Sequence, residues 1–438
     1  MWAAAAWLVL GQAVTEAYDL LRPELVRAHV EFLAADALEG RGPGQRGGEL
    51  AARYVAAQFR RLGLQPAGDA GTYFQAVPIR IATGDDGSAL AYTGPEAEIR
   101  FDASDGRLLP RGGCPVPRTL DGPPVFVGYA LTVPDADYDD LAGAPLDGRL
   151  ALALWGAPRK LLDRPGVDGW AHPAQKAARV RARGGLGLVL VADSATYDLL
   201  RRAPWATLDG GLPDAGAGPD AVIPDTALRA LLAAAGVRPD SLLEEARKGD
   251  TRPLALEGRA RLELRTRFEG ATAQNVVALL PGTDPALRDR AVLFLAHYDG
   301  LGIRDERAGD SIYNGAVEGA VGAAELLALA EAMARYPGRR TLVFLAAAGG
   351  LWGRLGAWHY AQNPAWSLDA TVAAVSLDGG IEALALPREL AGAGAAFSTL
   401  QEMIDRAARV TGFQSTNRTP LPYEWALGAA HAPFLVAG

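Results

Sequence analysis

Three short segments place a histidine and several carboxylates where predicted strands end or a predicted helix begins. AHYDGLG carries His297 and Asp299, GDSIYNGAVEG carries Glu318, and VSLDGG carries Asp378. Zinc accepts imidazole nitrogen and carboxylate oxygen ligands, and a two-metal centre needs a carboxylate that bridges ions about 3.5–4 Å apart. Taken alone, His297 is equally compatible with a buried structural role. The neighbouring carboxylates favour a metal site.

The elements that must position these residues lie after residue 273, where strand and helix patterns alternate. The predicted strands are NVVALLPG, AVLFLAHYD, RTLVFLAAAGG and TVAAVSLDGG, and GAVGAAELLALAEAMARY predicts a helix that a Pro-Gly pair ends. This alternation is typical of a mostly parallel sheet covered by helices. Ligands gather at the carboxyl ends of such strands, and those ends hold His297, Asp299, Gly349, Gly350 and Asp378.

The earlier part of the chain has a different character. Two helices are predicted between Pro23 and Leu64, split by EGRGPGQRGG. Beyond about Ile79 come short β-like runs, PPVFVGYALTV, RLALALWG and LGLVLVAD, with one helical segment, AHPAQKAARVRARGG. This mixture predicts a smaller, separate α/β or β domain.

Composition excludes several classes of function. The chain has 438 residues, of which 49% are hydrophobic, and a net charge of -8, with no basic face that would bind nucleic acid. A single cysteine, Cys114, rules out an internal disulfide and a Cys-based zinc cluster. The N-terminal MWAAAAWLVLGQAVTEA resembles a signal peptide without a basic start, so we expect a secreted or periplasmic protein. No later segment is apolar for about 20 residues, so no membrane span is predicted.

Several longer segments together resemble one known family. They are LEGRGPGQRGGELAARYVAAQF, VFVGYALTVPDADYDDLAG, and the chain from NVVALLPGTDP onward. The sequence is similar to the co-catalytic zinc aminopeptidases of metallopeptidase family 28, which also includes glutamate carboxypeptidase and the transferrin receptor. The resemblance implies a three-layer α/β zinc-exopeptidase fold, in which helices flank a mostly parallel mixed sheet, with an inserted, β-rich protease-associated domain.

The resemblance also implies a division of the chain. We expect a signal peptide over residues 1–16, the N-terminal helical part of the peptidase domain over 17–80, and a protease-associated-type insert over 81–265. Residues 266–438 then form the rest of the peptidase domain, and we expect the C-terminal end of the fold to be truncated.

The family's functional residues carry over in part. His297 falls on the first-metal histidine, Asp299 on the carboxylate that supports it, Glu318 on the bridging aspartate, and Asp378 on the second first-metal carboxylate. Glu318 is one methylene longer than the aspartate it replaces, so its carboxylate would lie roughly 1.5 Å further from the backbone. The resemblance thus implies a degenerate first-metal set and at most one weak zinc site.

The departures concern the general base and the second metal. Aligning GRLGA with the family's GLLGS places Gly350 at the general-base position and Leu351 at a second-metal ligand position, and no acidic residue lies between Glu331 and Asp369. In AAHAPFLVAG, Ala430 replaces an aspartate. We expect the family's final ligand histidine to be missing and the nearby His431 to be structural or inherited, with a role as substitute ligand the less favoured alternative.

These departures predict a catalytically impaired or inactive homologue that retains a cleft for a peptide or protein ligand. Two alternatives stay open: an active zinc exopeptidase with an altered metal site, and a partner-binding module that never meets peptides. Losing acidic groups from the cleft also reduces repulsion between carboxylates when no cation is bound. We therefore hypothesise that the metal-free form folds more easily than that of an active relative.

Overall fold

The computed structural model describes residues 17–18, 20–85, 87–111, 116–162, 170–202, 205–213, 217–304, 309–377, 389–390, 399–415 and 431–437. The chain forms two compact units. Unit 1 comprises Met1–Ile79 and Gly270–Gly438, and unit 2 comprises Arg80–Glu269. The assignment of residues 81–265 as a protease-associated-type insert stays a prediction, as do the signal peptide and the truncation.

Unit 1 alternates strands and helices in its second segment. In chain order, its longer elements are α1 (Pro23–Leu33), α2 (Arg46–Arg61), β1 (Phe74–Asp85), β2 (Thr266–Leu280), β3 (Ala291–His297), α3 (Val321–Arg335), β4 (Thr341–Ala347), α4 (Leu355–Gln362), β5 (Thr371–Ser376), α5 (Leu400–Thr411) and α6 (Ala432–Ala437). The boundary between the units falls within β1 and within β2. Short strands lie at Gln65–Pro66, Gly302–Ile303, Ile312–Tyr313, Glu389–Leu390 and Gln414–Ser415.

The sheet of unit 1 is mixed and runs in the order β1-β2-β4-β3-β5. Strand β4 pairs antiparallel with β2 and parallel with β3, which pairs parallel with β5. The register sets Ala347 beside His297, so the carboxyl ends of β3 and β4 lie at the same edge. The predicted α/β class, with helices and a mixed sheet, is confirmed.

The central strands are buried because they are continuous apolar runs. Every residue of β3 and of β4 is buried, as expected of strands covered on both faces. On one face the ring of Phe344 stacks on Phe294 and contacts Phe59 of α2. On the other face Tyr360 of α4 contacts Phe434 of α6. Each such fully buried side chain contributes about 1.5–3 kcal/mol by burial.

The helix boundaries differ from the sequence prediction near the start of the chain. The helical pattern predicts a helix through Leu38, but α1 ends at Leu33 and a 3-10 segment covers Asp36–Arg41. Within it Glu39 and Gly40 adopt left-handed conformations, with φ of 51° and 66°. Apolar residues keep helical spacing through this segment, but the backbone leaves the helical conformation. Here α2 and the 312–315 segment approach the backbone closely.

Unit 2 is itself an α/β unit. Within its described residues one sheet has the order Leu254–Ala255, Pro124–Phe126, Leu150–Leu154, Gly187–Ala192, Ala221–Pro224, Leu109–Pro110. A second has the order Glu98–Asp102, Ala89–Thr93, Arg259–Leu264, Arg118–Gly122. Further short strands lie at Thr132–Val133, Tyr138–Asp139 and Ala206–Leu208, and the helices at Pro173–Ala182, Ser194–Arg202, Asp225–Ala234 and Pro239–Lys248. Among the residues that the structure describes, no helix is long and apolar enough to cross a membrane.

Candidate functional site

His297 is the last residue of β3, at the edge where parallel strands expose their carboxyl ends. Its side chain is buried, and Nε2 lies 4.0 Å from Oε2 of Glu318. The adjacent strand β4 ends at the same level and leads into a turn formed by Gly349 and Gly350. The site therefore lies where the sheet topology predicts a ligand site.

Glu318 lies in the segment Ala316–Ala320 that precedes α3, and its own backbone is extended, with φ of -91° and ψ of 111°. Gly315 and Gly319 on either side adopt left-handed φ values of 55° and 87°, which glycine accommodates without steric cost. A Cβ at Gly319 would lie 2.1 Å from the carbonyl oxygen of Asp299. This close approach holds the Glu318 segment against the end of β3, while the Glu318 side chain stays 61% exposed.

Asp299 is fully buried and binds the turn after β4 rather than solvent. One carboxylate oxygen, Oδ2, accepts the backbone N–H of Gly349, and the other, Oδ1, accepts that of Gly350 at 3.1 Å. Burial raises the pKa of Asp299, while the charges of His297 and Arg41 and these two hydrogen bonds act in the opposite direction. Asp299 thus fixes the position of the 349–350 turn.

Gly350 and Leu351, which the family resemblance predicts at the positions of a base and a second-metal ligand, present no acidic side chain. The backbone of Gly350 lies so close to His297 that a Cβ at position 350 would be 2.3 Å from Cγ of that ring. Such a separation requires the neighbour to move. Leu351 is 41% exposed. The His297 ring therefore occupies the space that a side chain at position 350 would need.

Arg41 was not singled out by the sequence analysis, yet its guanidinium is completely buried beside this site. Burial lowers its pKa to about 10, and the charge of Asp299 acts to raise it. Its nitrogens donate to backbone carbonyls of Leu33, Tyr298 (2.8 Å), Asn314 (2.6 Å), Gly315 (2.8 Å) and Glu318 (3.3 Å). The only sequence signal was its place in LEGRGPG, within a segment that resembles the family.

Asn275, also missed, fixes the other side of the turn. Its buried amide donates to Oε1 of Gln75 and to the carbonyl of Gly356, both at 2.9 Å, and its Oδ1 accepts the N–H of Ala348 at 3.0 Å. The indole of Trp352 adds a hydrogen bond to the carbonyl of Gly300 at 3.1 Å. Buried side chains thus tie the loops after β3 and β4 to each other and to the sheet.

The donors that the structure describes do not make up a two-metal centre. Among the described residues no group of three or more His, Cys, Asp or Glu is placed to hold a metal ion, so His431 does not complete a set with His297 and Glu318. The predicted ligand Asp378, together with Ala430 and Cys114, lies outside the described residues. Within the described part of the chain, His297 and Glu318 alone fall short of the three protein ligands that a catalytic zinc ion usually has.

One comparison with known families concerns the segment that holds this site. Residues 275–434 match the model of peptidase family M28, a stretch that includes His297, Glu318 and the 349–351 turn. Over this segment the chain is similar to peptidase family M28. A search of curated proteins found no significant relative.

Solved structures of M28 peptidases and other aminopeptidases also show likeness to the chain. An aminopeptidase from Aneurinibacillus sp. strain AM-1 is 16% identical, with 94% of this chain and 84% of that chain covered and a TM-score of 0.45. A zinc aminopeptidase from Bacillus subtilis, BSAP, is 17% identical, with 95% and 83% covered and a TM-score of 0.45. A peptidase M28 precursor from Shewanella amazonensis SB2B is 17% identical, with 97% and 85% covered and a TM-score of 0.44.

Proposed function

We propose that this protein is a catalytically impaired M28 homologue that binds a peptide or protein ligand without hydrolysing it. The observation that carries the proposal is the contact between the backbone of Gly350 and the ring of His297. A residue with any side chain at position 350 would collide with that ring. The turn is therefore incompatible with a glutamate base as the structure stands.

The missing groups set the size of the expected defect. A general base typically contributes 10²- to 10⁴-fold in rate, and a second metal ion contributes further stabilisation of negative charge in the transition state. The two contributions act on one transition state, so they need not add. Either loss alone suffices to make hydrolysis slow.

His297 and Glu318 remain as a pair that could hold at most one weakly bound zinc ion. Their side chains face each other at 4.0 Å, but Glu318 is largely exposed, so its carboxylate is not fixed by packing. This pair is the observation that favours the alternative function, an active zinc exopeptidase with an altered metal site. The Gly350 contact argues against that alternative.

The surface around the pair is suited to an apolar ligand group. Large hydrophobic side chains that are 38% to 49% exposed lie on the segments adjoining it: Ile303, Tyr313, Val317 and Leu351. Val317 precedes Glu318, and Leu351 follows the glycine that contacts His297. Exposed apolar side chains on the loops of a site offer apolar contacts to a ligand. A secreted or periplasmic location, inferred from the N-terminal sequence, would bring this surface to extracellular peptides.

A binding experiment tests the proposal directly. The purified chain is incubated with an array of short synthetic peptides with free amino ends, and retained peptides are examined by mass spectrometry for loss of residues. We expect intact peptides to be retained. Leu351→Asp should weaken their binding at least about tenfold, because it places a charge where a bound peptide would bury an apolar contact. Leu199→Asp, at a leucine 69% exposed on unit 2, is the matched control and should leave binding unchanged. Shortened peptides, or equal binding by both variants, would contradict the proposal.

A further inference from the structure

A metal ion bound among carboxylates neutralises their charge and orders the loops that supply them. In this chain, protein groups act on the carboxylate charge and also order the loops. We infer that the site around His297 and Asp299 is built to stand without a metal ion. The inference rests on the proposed function, in which the two-metal centre is absent, and adds that the fold of the site does not depend on zinc at all.

The charge of Asp299 is compensated from within the chain. Arg41 makes hydrogen bonds with the residues on both sides of Asp299. Nε of Arg41 donates to the carbonyl of Tyr298 at 2.8 Å, and the carbonyl of Arg41 accepts the N–H of Gly300 at 3.1 Å. Both residues are fully buried, where opposite charges attract more strongly than in water. The positive charge of the guanidinium therefore acts on this carboxylate from within the chain, although its hydrogen bonds go to backbone carbonyls.

The loops are also ordered by protein groups. Each oxygen of the Asp299 carboxylate accepts one amide of the turn after β4. Through its other nitrogens Arg41 binds three carbonyls of the segment that carries Glu318, those of Asn314, Gly315 and Glu318. These hydrogen bonds fix the two loops that a bridging metal pair would otherwise have to hold together.

Close packing completes the arrangement around the imidazole. A Cβ at Gly350 would be 2.3 Å from Cγ of His297, and a Cβ at Gly319 would be 3.3 Å from its Cδ2. Two glycines from different loops thus approach the same ring. The ring position is set by backbone contacts, so it needs no coordination bond to hold it.

The first test needs no variant. The full chain is stripped with EDTA and melted in chelator and, after its removal, in excess zinc chloride. We expect melting temperatures within about 1 °C of each other. Zinc bound to the native state at about 100 times its dissociation constant would raise the melting temperature by about 5–10 °C, so such a rise would overturn the inference if His297→Ala abolishes it. A rise that persists in His297→Ala comes from another site and leaves the inference standing.

The second test addresses the packing. Gly350→Ala should lower the melting temperature by about 2–12 °C, as overpacking does, whereas Gly270→Ala, at a glycine with no atom within 4 Å of an added Cβ, should change it little. In a His297→Gly background the loss caused by Gly350→Ala should fall by at least half. An equal loss in both backgrounds would contradict the assigned contact.

The outcomes separate the two proposals. Zinc stabilisation through His297 without any turnover would overturn this inference and leave the proposed function intact. Peptide hydrolysis without zinc stabilisation would do the reverse.

Discussion

Gly350 donates its backbone N–H to the carboxylate of Asp299 at 3.1 Å, while the same residue leaves no room for a side chain against His297. The position that the family resemblance assigns to a general base thus contributes its amide to the site and no acidic group. Asp299 correspondingly serves as a structural acceptor for the turn. Gly350 and Asp299 therefore matter both for the chemistry of the site and for its stability.

Restoring the glutamate should not restore catalysis. Gly350→Glu forces the new side chain against the His297 ring, so we expect a loss of about 1–3 kcal/mol in the free energy of unfolding and no gain in peptide hydrolysis. Denaturant unfolding and a chromogenic aminopeptidase substrate measure the two quantities. Gly270→Glu is the matched control, because open space surrounds that glycine. A stable Gly350→Glu variant with zinc-dependent turnover would show that the turn still accepts a base.

Asp299→Asn should destabilise unit 1. The substitution replaces one of the two acceptor oxygens with an NH2 group, which cannot accept a hydrogen bond. The N–H of Gly349 or that of Gly350 is then left as an unsatisfied buried donor. We expect a loss of about 1–3 kcal/mol in the free energy of unfolding. Asp198→Asn, at an exposed aspartate of unit 2, should stay within about 0.5 kcal/mol of the parent. Equal effects of the two variants would mean that the hydrogen bonds to the turn contribute nothing.

Arg41→Met should be among the most damaging single substitutions in the chain. It removes the donors for five backbone carbonyls and a buried positive charge that acts on Asp299. We expect a loss of at least about 3 kcal/mol, measured by denaturant unfolding. Arg53→Met, which breaks only an exposed pair with Glu49, should cost less than about 1 kcal/mol. A mild effect of Arg41→Met would remove this arginine from the account of the site.

Unit 2 contains a buried lysine that should make stability depend on pH. Lys176 is fully buried, donates to the carbonyls of Leu154 (2.9 Å) and Gly156 (2.6 Å), and lies 5.4 Å from the ring centroid of Tyr129. Burial lowers its pKa from 10.5 to about 7, Asp140 acts to raise it, and Arg179 lowers it. The charged form is therefore disfavoured in the folded state despite these contacts.

The sign of the effect follows from proton binding. Between the folded pKa of about 7 and the unfolded value of 10.5, the unfolded chain holds a proton that the folded chain has released, so stability rises with pH across that interval. Relative to Lys176→Met, the parent should gain about 2 kcal/mol in the free energy of unfolding between about pH 7 and pH 9. Lys248→Met, at an exposed lysine, should show no such difference. A gain towards acidic pH would contradict the assignment.

The fold of unit 1 was predictable because its strongest signals are local. The strands β3 and β4 are uninterrupted apolar runs, and α3 is an Ala- and Leu-rich segment with high helix propensity. The register that sets His297 beside Ala347 follows from their position at strand ends. That Gly350 and Leu351 replace a base and a metal ligand stays a prediction, which rests on the absence of acidic residues between Glu331 and Asp369.

The partners inside the site were not predictable. Arg41 reaches residues more than 250 positions away, and no periodicity in the sequence indicates where a buried guanidinium will find its carbonyls. The close approach of Gly350 to His297 depends on how the turn after β4 folds back onto β3. These contacts arise from tertiary packing, and the pattern of residue types along the chain does not predict which distant residues will meet.

The most direct test of the central claim is turnover of aminoacyl-coumarin substrates by the full chain, compared with His297→Ala, with zinc chloride added in steps. We expect the parent and the variant to release fluorophore at the same background rate at every zinc concentration, because no base is present at position 350. Zinc-dependent hydrolysis by the parent that His297→Ala abolishes would contradict it.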